Sequence, residues 1–332
     1  MSDTRYDVLG IGNAIFDILG HVRDETLTEN NLVKGSMRLV TAEEAVAVDA
    51  LLTDAVRISG GSAGNTVAGV ASLGGRAAFI GKVAPDTYGT AYRSDMHHIG
   101  IEFRTEPLTD GTPTATSVIL VTPDGERTMN TFLGASQVLT VDDIDFDLVD
   151  AAAITFLEGY LFDPDAAKQA FRAAAERAHA QGRIAALTLS DAFCIERHRD
   201  DFRTWIGSGQ IDLIFANVAE THALYETQNF DAACKALGAE VPTVVVTMGE
   251  KGARVISNGE LVEVPAHGTS VVDLTGAGDL FAGGFMLGHA RGMPPAECAR
   301  LGALAAAEVI SHFGARPQTE LRDLARNDGF SL

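Results

Sequence analysis

Asp273-Leu274-Thr275-Gly276-Ala277-Gly278-Asp279 runs directly into the apolar stretch Leu280-Phe281-Ala282-Gly283-Gly284-Phe285-Met286-Leu287. Three small residues between two carboxylates let a backbone turn tightly and bring its N–H groups close to a ligand. A helix that opens here aims unpaired N–H groups and the positive end of its dipole at that turn. The turn is therefore a ready site for an anion such as a phosphate. Asp279 is the odd element, because a carboxylate repels a phosphate unless it takes a proton from the attacking group. An anion hole of Gly276, Ala277 and Gly278 beside a general base points to phosphoryl transfer onto a hydroxyl. A plain helix cap by Asp273 or Thr275 is the alternative reading of the same residues.

Upstream, short apolar runs alternate with helical patterns. Tyr6 to Gly12, Ala78 to Ile80, Ala153 to Leu157, Ile184 to Leu189, Leu213 to Ala216 and Thr243 to Thr247 read as buried strands. A helix from about Ala63 to Leu73 precedes the second. Another carries Ala167, Ala170, Phe171, Ala174 and Ala178 on one face. Strands separated in this way predict an α/β fold with a mainly parallel sheet covered on both faces. Ligands of such sheets bind beyond the carboxyl ends of the strands.

Two stretches break the rhythm. Leu19 to Val40 has few helix signals. Phe103 to Ala135 alternates around Pro123-Asp124-Gly125, a hairpin signal. Segments of about 14–45 and 103–135 are expected to form a small β-sheet lid that excludes water during reaction. Its apolar residues Ile15, Phe16, Leu39, Phe132 and Leu133 either enclose a flat ligand or form the small sheet's own core.

Further candidate sites follow the strands. Gly10-Ile11-Gly12 resembles the start of a dinucleotide-binding turn, but the bulky Ile15 stands where the third glycine belongs. A turn that delivers Asn13 and Asp17 is the better reading, since Asp can accept from two neighbouring sugar hydroxyls. Gly60 and Gly61 allow close backbone approach to a polar ligand, and Asn65 suits a hydroxyl. Asn217 and Glu220, three apart, fit a hydrated Mg²⁺ or a capping box, and the two readings are compatible. Thr247 to Gly252 either passes along a nucleotide or makes a hairpin.

Composition bounds the partners. The 332 residues suffice for one large domain. Lys and Arg number 25 against 45 Asp and Glu, a net charge of −20 that argues against nucleic acid or an anionic membrane as partner. Any attraction of an anion must then be local. Cys194, Cys234 and Cys298 lack metal-ligand spacing, which argues for a reducing cytoplasm and against a disulfide framework or zinc site. Met1 to Tyr6 lacks the basic cluster of a secretory leader. No run approaches a membrane span.

In this order, Gly60-Gly61 with Asn65, Asn217 with Glu220, and the Asp273–Asp279 signature resemble the ribokinase-like (PfkB) carbohydrate kinases over essentially the whole chain. The Leu274-Thr275 version of the signature, Asn13 to Asp17, Leu157 to Phe162 and Thr188 to Asp191 look like its bacterial adenosine kinase branch. The resemblance implies a three-layer α/β/α sandwich, with residues 1–332 as one kinase domain and a small lid. It implies transfer of the γ-phosphoryl of ATP to the 5′-hydroxyl of adenosine, with Asp279 as base and Asp17 gripping the ribose diol beside Asn13, Gly61 and Asn65. Arg127 resembles the family's lid arginine that approaches the phosphates. Asn217 and Glu220 would organise Mg²⁺ through water, while Thr247 and Gly249 line the ATP site. Asp273 and Thr275 would contribute to a K⁺ site, with backbone carbonyls from 311–314. Ala303, Ala306 and Ala307 would wall the donor's adenine or simply pack between helices. Relatives act as monomers or as homodimers paired through their lids. The alternatives are a relative acting on ribose, fructose, inosine or guanosine, and a non-catalytic ligand-binding regulator on the same fold, in which Asp279 has no task.

Overall fold

The computed structural model describes residues 4–332. Met1 to Asp3, the head of the stretch without leader character, lie outside the described residues. Fourteen strands occur among the described residues, in chain order β1 (Tyr6–Ile11), β2 (Ile15–His21), β3 (Met37–Leu39), β4 (Val56–Ser59), β5 (Ala77–Ile80), β6 (Glu102–Phe103), β7 (Ala115–Val121), β8 (Arg127–Phe132), β9 (Ala152–Glu158), β10 (Ile184–Thr188), β11 (Leu213–Asn217), β12 (Thr243–Thr247), β13 (Ala253–Ser257) and β14 (Glu260–Val264). Nine form one sheet in the order β14-β13-β12-β11-β10-β9-β1-β5-β6. It is parallel from β12 to β6, and β13 and β14 add an antiparallel edge.

The sheet's two faces feed two apolar cores, because successive side chains of a strand point to opposite faces. Val8, Ile154 and Phe156 join one core with the helices Ser62–Ser72, Ala277–Ala290 and Pro295–Val309. Leu9, Ile11 and Leu157 join the other with the helices Asp165–Ala180 and Ala192–Gly207. The fold is thus the expected ribokinase-like α/β/α sandwich. Ala303 and Ala307 are buried in helix packing.

The second sheet has the order β3-β8-β7-β2-β4. The Pro123-Asp124-Gly125 hairpin is present: β7 and β8 pair antiparallel, with Val121 opposite Arg127. The Asp124 carboxylate accepts the Thr122 hydroxyl at 2.7 Å and is bridged by Lys34 at 2.6 Å. The two anticipated segments need adjustment. β4 is recruited from outside both, pairing antiparallel with β2. Phe103 leaves the small sheet for the edge of the large one, where its ring packs against Phe79 and Tyr92. The 19–40 stretch also contains a short helix, Asp24–Glu29, with Asp24 and Glu25 in its first turn and Leu27 buried, an acidic start that suits the helix dipole.

Period-two alternation decides which side chains of the small sheet face the ligand. Ile15 and Asp17 of β2, Met37 and Leu39 of β3, Ser117 and Ile119 of β7, and Met129 and Thr131 of β8 share one cavity. Phe16, Ile18, Val118 and Leu120 point the other way into the core. Phe16 stacks on Tyr88 at 5.1 Å. Among the described residues no helix is long and apolar enough to cross a membrane.

Candidate active site

A cavity of about 800 Å³ lies between the small sheet and the carboxyl ends of the main strands. Asn13, Glu158, Thr188, Asn217 and Thr247, each at or just past the end of a parallel strand, line its floor, the position such sheets reserve for ligands. Asn13, Asp17, Gly61, Asn65, Asn217, Glu220, Thr247, Thr275, Gly276, Ala277, Gly278 and Asp279 all meet there. Gly60, Arg127 and Asp273 are not among the lining residues, and neither is Gly249, which is exposed beyond the end of β12.

The helix Ala277–Ala290 starts at Gly276, whose φ of +80° is left-handed. Among the described residues the N–H groups of Gly276, Gly278 and Asp279 have no hydrogen-bond partner. The Ala277 N–H instead folds back on the Leu274 carbonyl at 3.3 Å. The N–H groups of the turn free to receive a ligand are therefore those of Gly276, Gly278 and Asp279, which differ by one from the Gly276–Gly278 run read from sequence. The two glycines differ in what they exclude. A Cβ on Gly276 would lie 2.9 Å from that of Ala315, whereas one on Gly278 meets no protein atom within 4 Å. Gly276→Ala is therefore expected to cost about 1–2 kcal/mol of stability from the left-handed backbone alone. Gly278→Ala should fold normally and lose turnover, because its methyl enters space kept for the phosphoryl group. Thermal denaturation alongside steady-state rates checks the contrast, and a fully active Gly278→Ala would remove that residue from the phosphate site.

Asp279 is clamped on both oxygens. The Ser62 hydroxyl donates to Oδ1 at 2.6 Å, and Asn65 Nδ2 donates to Oδ2 at 3.0 Å. Burial pushes its pKa up, and Ser62, Asn65 and Arg316 pull it back. Asn65 Oδ1 is buried without a partner. The Asp17 carboxylate makes no hydrogen bond to the described residues. Burial raises it to about 7, against the pull of Arg316 and Arg127. Gly60 is required beside it, since a Cβ there would strike the Asp17 carboxylate. Gly61, at φ +82°, packs on the Asn13 carbonyl.

Three residues without a sequence-assigned role complete the site. Glu158, 1% exposed, accepts Asn13 Nδ2 at 2.7 Å and the Ala63 N–H at 2.8 Å. Its signal was available: a lone charged residue ending an apolar strand. Ser62 lies inside the Gly60–Asn65 run already singled out. Arg316 gives no sequence signal, being one arginine in a polar loop.

Glu220 and Asn217 form the capping box. Asn217 donates its N–H and Nδ2 to the two carboxylate oxygens at 2.9 and 2.6 Å, and the Glu220 N–H returns to Asn217 Oδ1 at 2.9 Å. Among the described residues no group of three or more His, Cys, Asp or Glu is placed to hold a bare metal. The pair therefore fits a hydrated Mg²⁺ that brings its own phosphate ligands, with Glu220 acting through water. A K⁺ site at Asp273 does not fit these residues. Its carboxylate pairs with Arg127 and also accepts the Thr275 and Gly314 N–H groups at 3.0 and 2.9 Å. Arg127 Nη1 donates to Thr275 Oγ1 at 2.6 Å. The lid arginine thus braces the anion loop instead of projecting into the cavity.

Burial pushes Glu158 and Glu220, like Asp17, to about 7. The native state then keeps protons that the unfolded chain releases above ordinary carboxylate values, so unfolding free energy falls as pH rises. Their contribution is complete below pH ~4 and lost as pH passes about 7. The ligand-free protein is expected to show a falling Tm between about pH 5 and pH 8, flattened in Glu220→Gln. Calorimetry that finds a rising Tm, or an unchanged slope in the variant, overturns this balance.

A mainly parallel nine-stranded sheet, a small second sheet over its carboxyl edge and a glycine-rich turn with free N–H groups beside a half-buried aspartate define a ribokinase-like phosphotransferase. The chain belongs to the PfkB family: the model described as pfkB family carbohydrate kinase matches residues 29–321. It is a kinase of that family. An adenosine kinase from Sinorhizobium meliloti is 49% identical, with a TM-score of 0.91 covering 98% of this chain and 100% of that one. A probable sugar kinase from Rhizobium etli CFN 42 is 44% identical, with a TM-score of 0.92 over 98% and 99%. Adenosine kinase 2 of Arabidopsis thaliana is 25% identical over 339 residues, spanning 94% of this chain and 96% of the relative.

Proposed function

We propose that this kinase transfers the γ-phosphoryl of ATP to the 5′-hydroxyl of adenosine, giving AMP and ADP. The observation that carries the reading is the pairing of two unlike walls around Asp279. One wall is polar, with Asn13, Asp17 and Asn65. The other is apolar, with Ile15, Met37, Leu39, Ile119, Met129 and Leu133 from the small sheet and the segment that follows it. A free sugar needs only the first, and a nucleoside uses both. Phe16 and Phe132 do not contribute to the apolar wall, since alternation turns Phe16 into the core and Phe132 is not among the lining residues. The 49% identical adenosine kinase agrees with this reading.

Asp17 accepts from the ribose diol. The 5′-hydroxyl then faces Asp279, which receives its proton as the new O–P bond forms and the bond to the ADP oxygen breaks. The free N–H groups of Gly276, Gly278 and Asp279 meet the charge on the moving phosphoryl. Asn217, Glu220 and Thr247 border the donor end, and Mg²⁺ entering with ATP offsets phosphate charge there. Arg127 holds the loop in shape through Asp273 and Thr275.

The test is ADP release from MgATP across adenosine, inosine, guanosine, ribose and fructose. A strong preference for adenosine supports the reading. Turnover of a free sugar transfers the acceptor to the second reading, which the buried Glu158 carboxylate on the cavity floor favours as an added partner for sugar hydroxyls. Ligand binding without any turnover moves the chain to a regulatory role.

A further inference from the structure

The segment 314–316 supports both halves of the cavity. Gly314 donates its N–H to Asp273 at 2.9 Å, and Ala315 packs under Gly276. Arg316 reaches the other way. Its Nε donates to the Ser59 carbonyl at 2.9 Å, Nη1 to the Gly64 carbonyl at 2.8 Å and Nη2 to Ser59 Oγ at 3.2 Å. These acceptors bracket the Gly60–Ala63 turn. Tyr92 secures the same turn, donating its hydroxyl to the Gly60 carbonyl at 3.0 Å, and Asp95 accepts the Ser59 N–H at 3.2 Å. The guanidinium is therefore spent on backbone, and its charge is left facing the carboxylates around it.

Those carboxylates need it. Asp279 faces Asp17 from β2, Glu158 from β9, Tyr160 beyond it and Arg316 from the C-terminal loop. Arg127 also faces Asp17, while Tyr92 and Asp95 of the helix Thr87–His98 face Arg316. The whole chain carries −20, so no long-range field offsets this cluster. We infer that Arg316 is a positioning residue of the transfer: it clamps the turn that brings Ser62 and Asn65 to Asp279, and it sets a positive charge facing the carboxylates of Asp17 and Asp279. This inference rests on the phosphotransfer reading of the site.

The experiment compares Arg316→Gln and Arg316→Lys with the unaltered enzyme, using the acceptor that turns over fastest. Arg316→Gln should lower acceptor kcat/KM by about 10²-fold, the usual cost of a misplaced reacting group, with the KM for MgATP unchanged. Its acid limb in the kcat/KM profile should move to higher pH, because removal of a nearby cation favours the protonated carboxylates. Arg316→Lys keeps the charge and loses the fork, so its limb should stay in place while the acceptor KM rises. Backbone amide exchange over 59–65 should accelerate in both variants, with β1 and β9 unchanged. Accelerated exchange with an unmoved acid limb in Arg316→Gln reduces the residue to scaffold and overturns the inference, as does unchanged exchange with unchanged kinetics. If the glutamine variant does not fold, the lysine variant decides, and a normal acceptor KM in it overturns the clamp. The exchange measurement needs no turnover, so an inactive parent enzyme counts against the kinase reading separately.

Discussion

Asp279→Asn is expected to bind adenosine and MgATP nearly as well as the parent enzyme while losing about 10²–10⁴ or more in kcat, the worth of a positioned base. The substitution preserves shape and removes the proton acceptor. Ser62 can still donate to the side-chain oxygen that the amide retains. The new amide nitrogen would face Asn65 Nδ2, donor against donor, until Asn65 rotates its amide and offers the Oδ1 that now lacks a partner. The variant thus has a relaxed arrangement available and should fold. Calorimetric binding and initial rates of ADP release measure the two halves. Near-normal turnover would remove Asp279 from the chemistry.

Asp17→Ala separates acceptor binding from catalysis. A hydrogen bond to a charged group contributes about 1.5–3 kcal/mol. Losing two from the ribose diol should therefore raise the acceptor KM by about 10²–10⁴-fold. ATP affinity should hold, because Asn217, Glu220 and Thr247 sit at the ends of β11 and β12 and not on the small sheet. An unchanged acceptor KM would show that Asp17 is structural. Stability supplies a second check: Asp17 is one of the buried groups pushed to about 7, so its removal should slow the fall of Tm with rising pH.

Much of this was legible in the chain. Alternating apolar runs and helical faces identified the parallel sheet, and every main strand read from sequence lies within a residue or two of its place. The Pro123-Asp124-Gly125 turn identified the hairpin. The Gly276–Asp279 run located the turn whose N–H groups are free and the aspartate that Ser62 and Asn65 hold, the two features on which the proposed function rests. β4 was missed, since Val56-Arg57-Ile58-Ser59 is too short to show a period. Arg127 was seen as a lid arginine, but its partner was not, because Asp273 lies 146 residues away.

By itself, the sequence determined the class of sheet, the position of the glycine-rich turn and the residue types around it, all properties of neighbours along the chain. The tertiary structure alone decided which N–H groups of the turn remain free, that Arg127 balances Asp273, that Glu158 is buried at the cavity floor, and that Arg316 holds the Ser59–Gly64 turn. Hydrogen-bond direction and burial depend on segments distant in sequence: Ser62 reaches Asp279 across 217 residues, and Arg316 reaches Ser59 across 257. A charge gains its meaning from what excludes water around it, and only the packed fold does that.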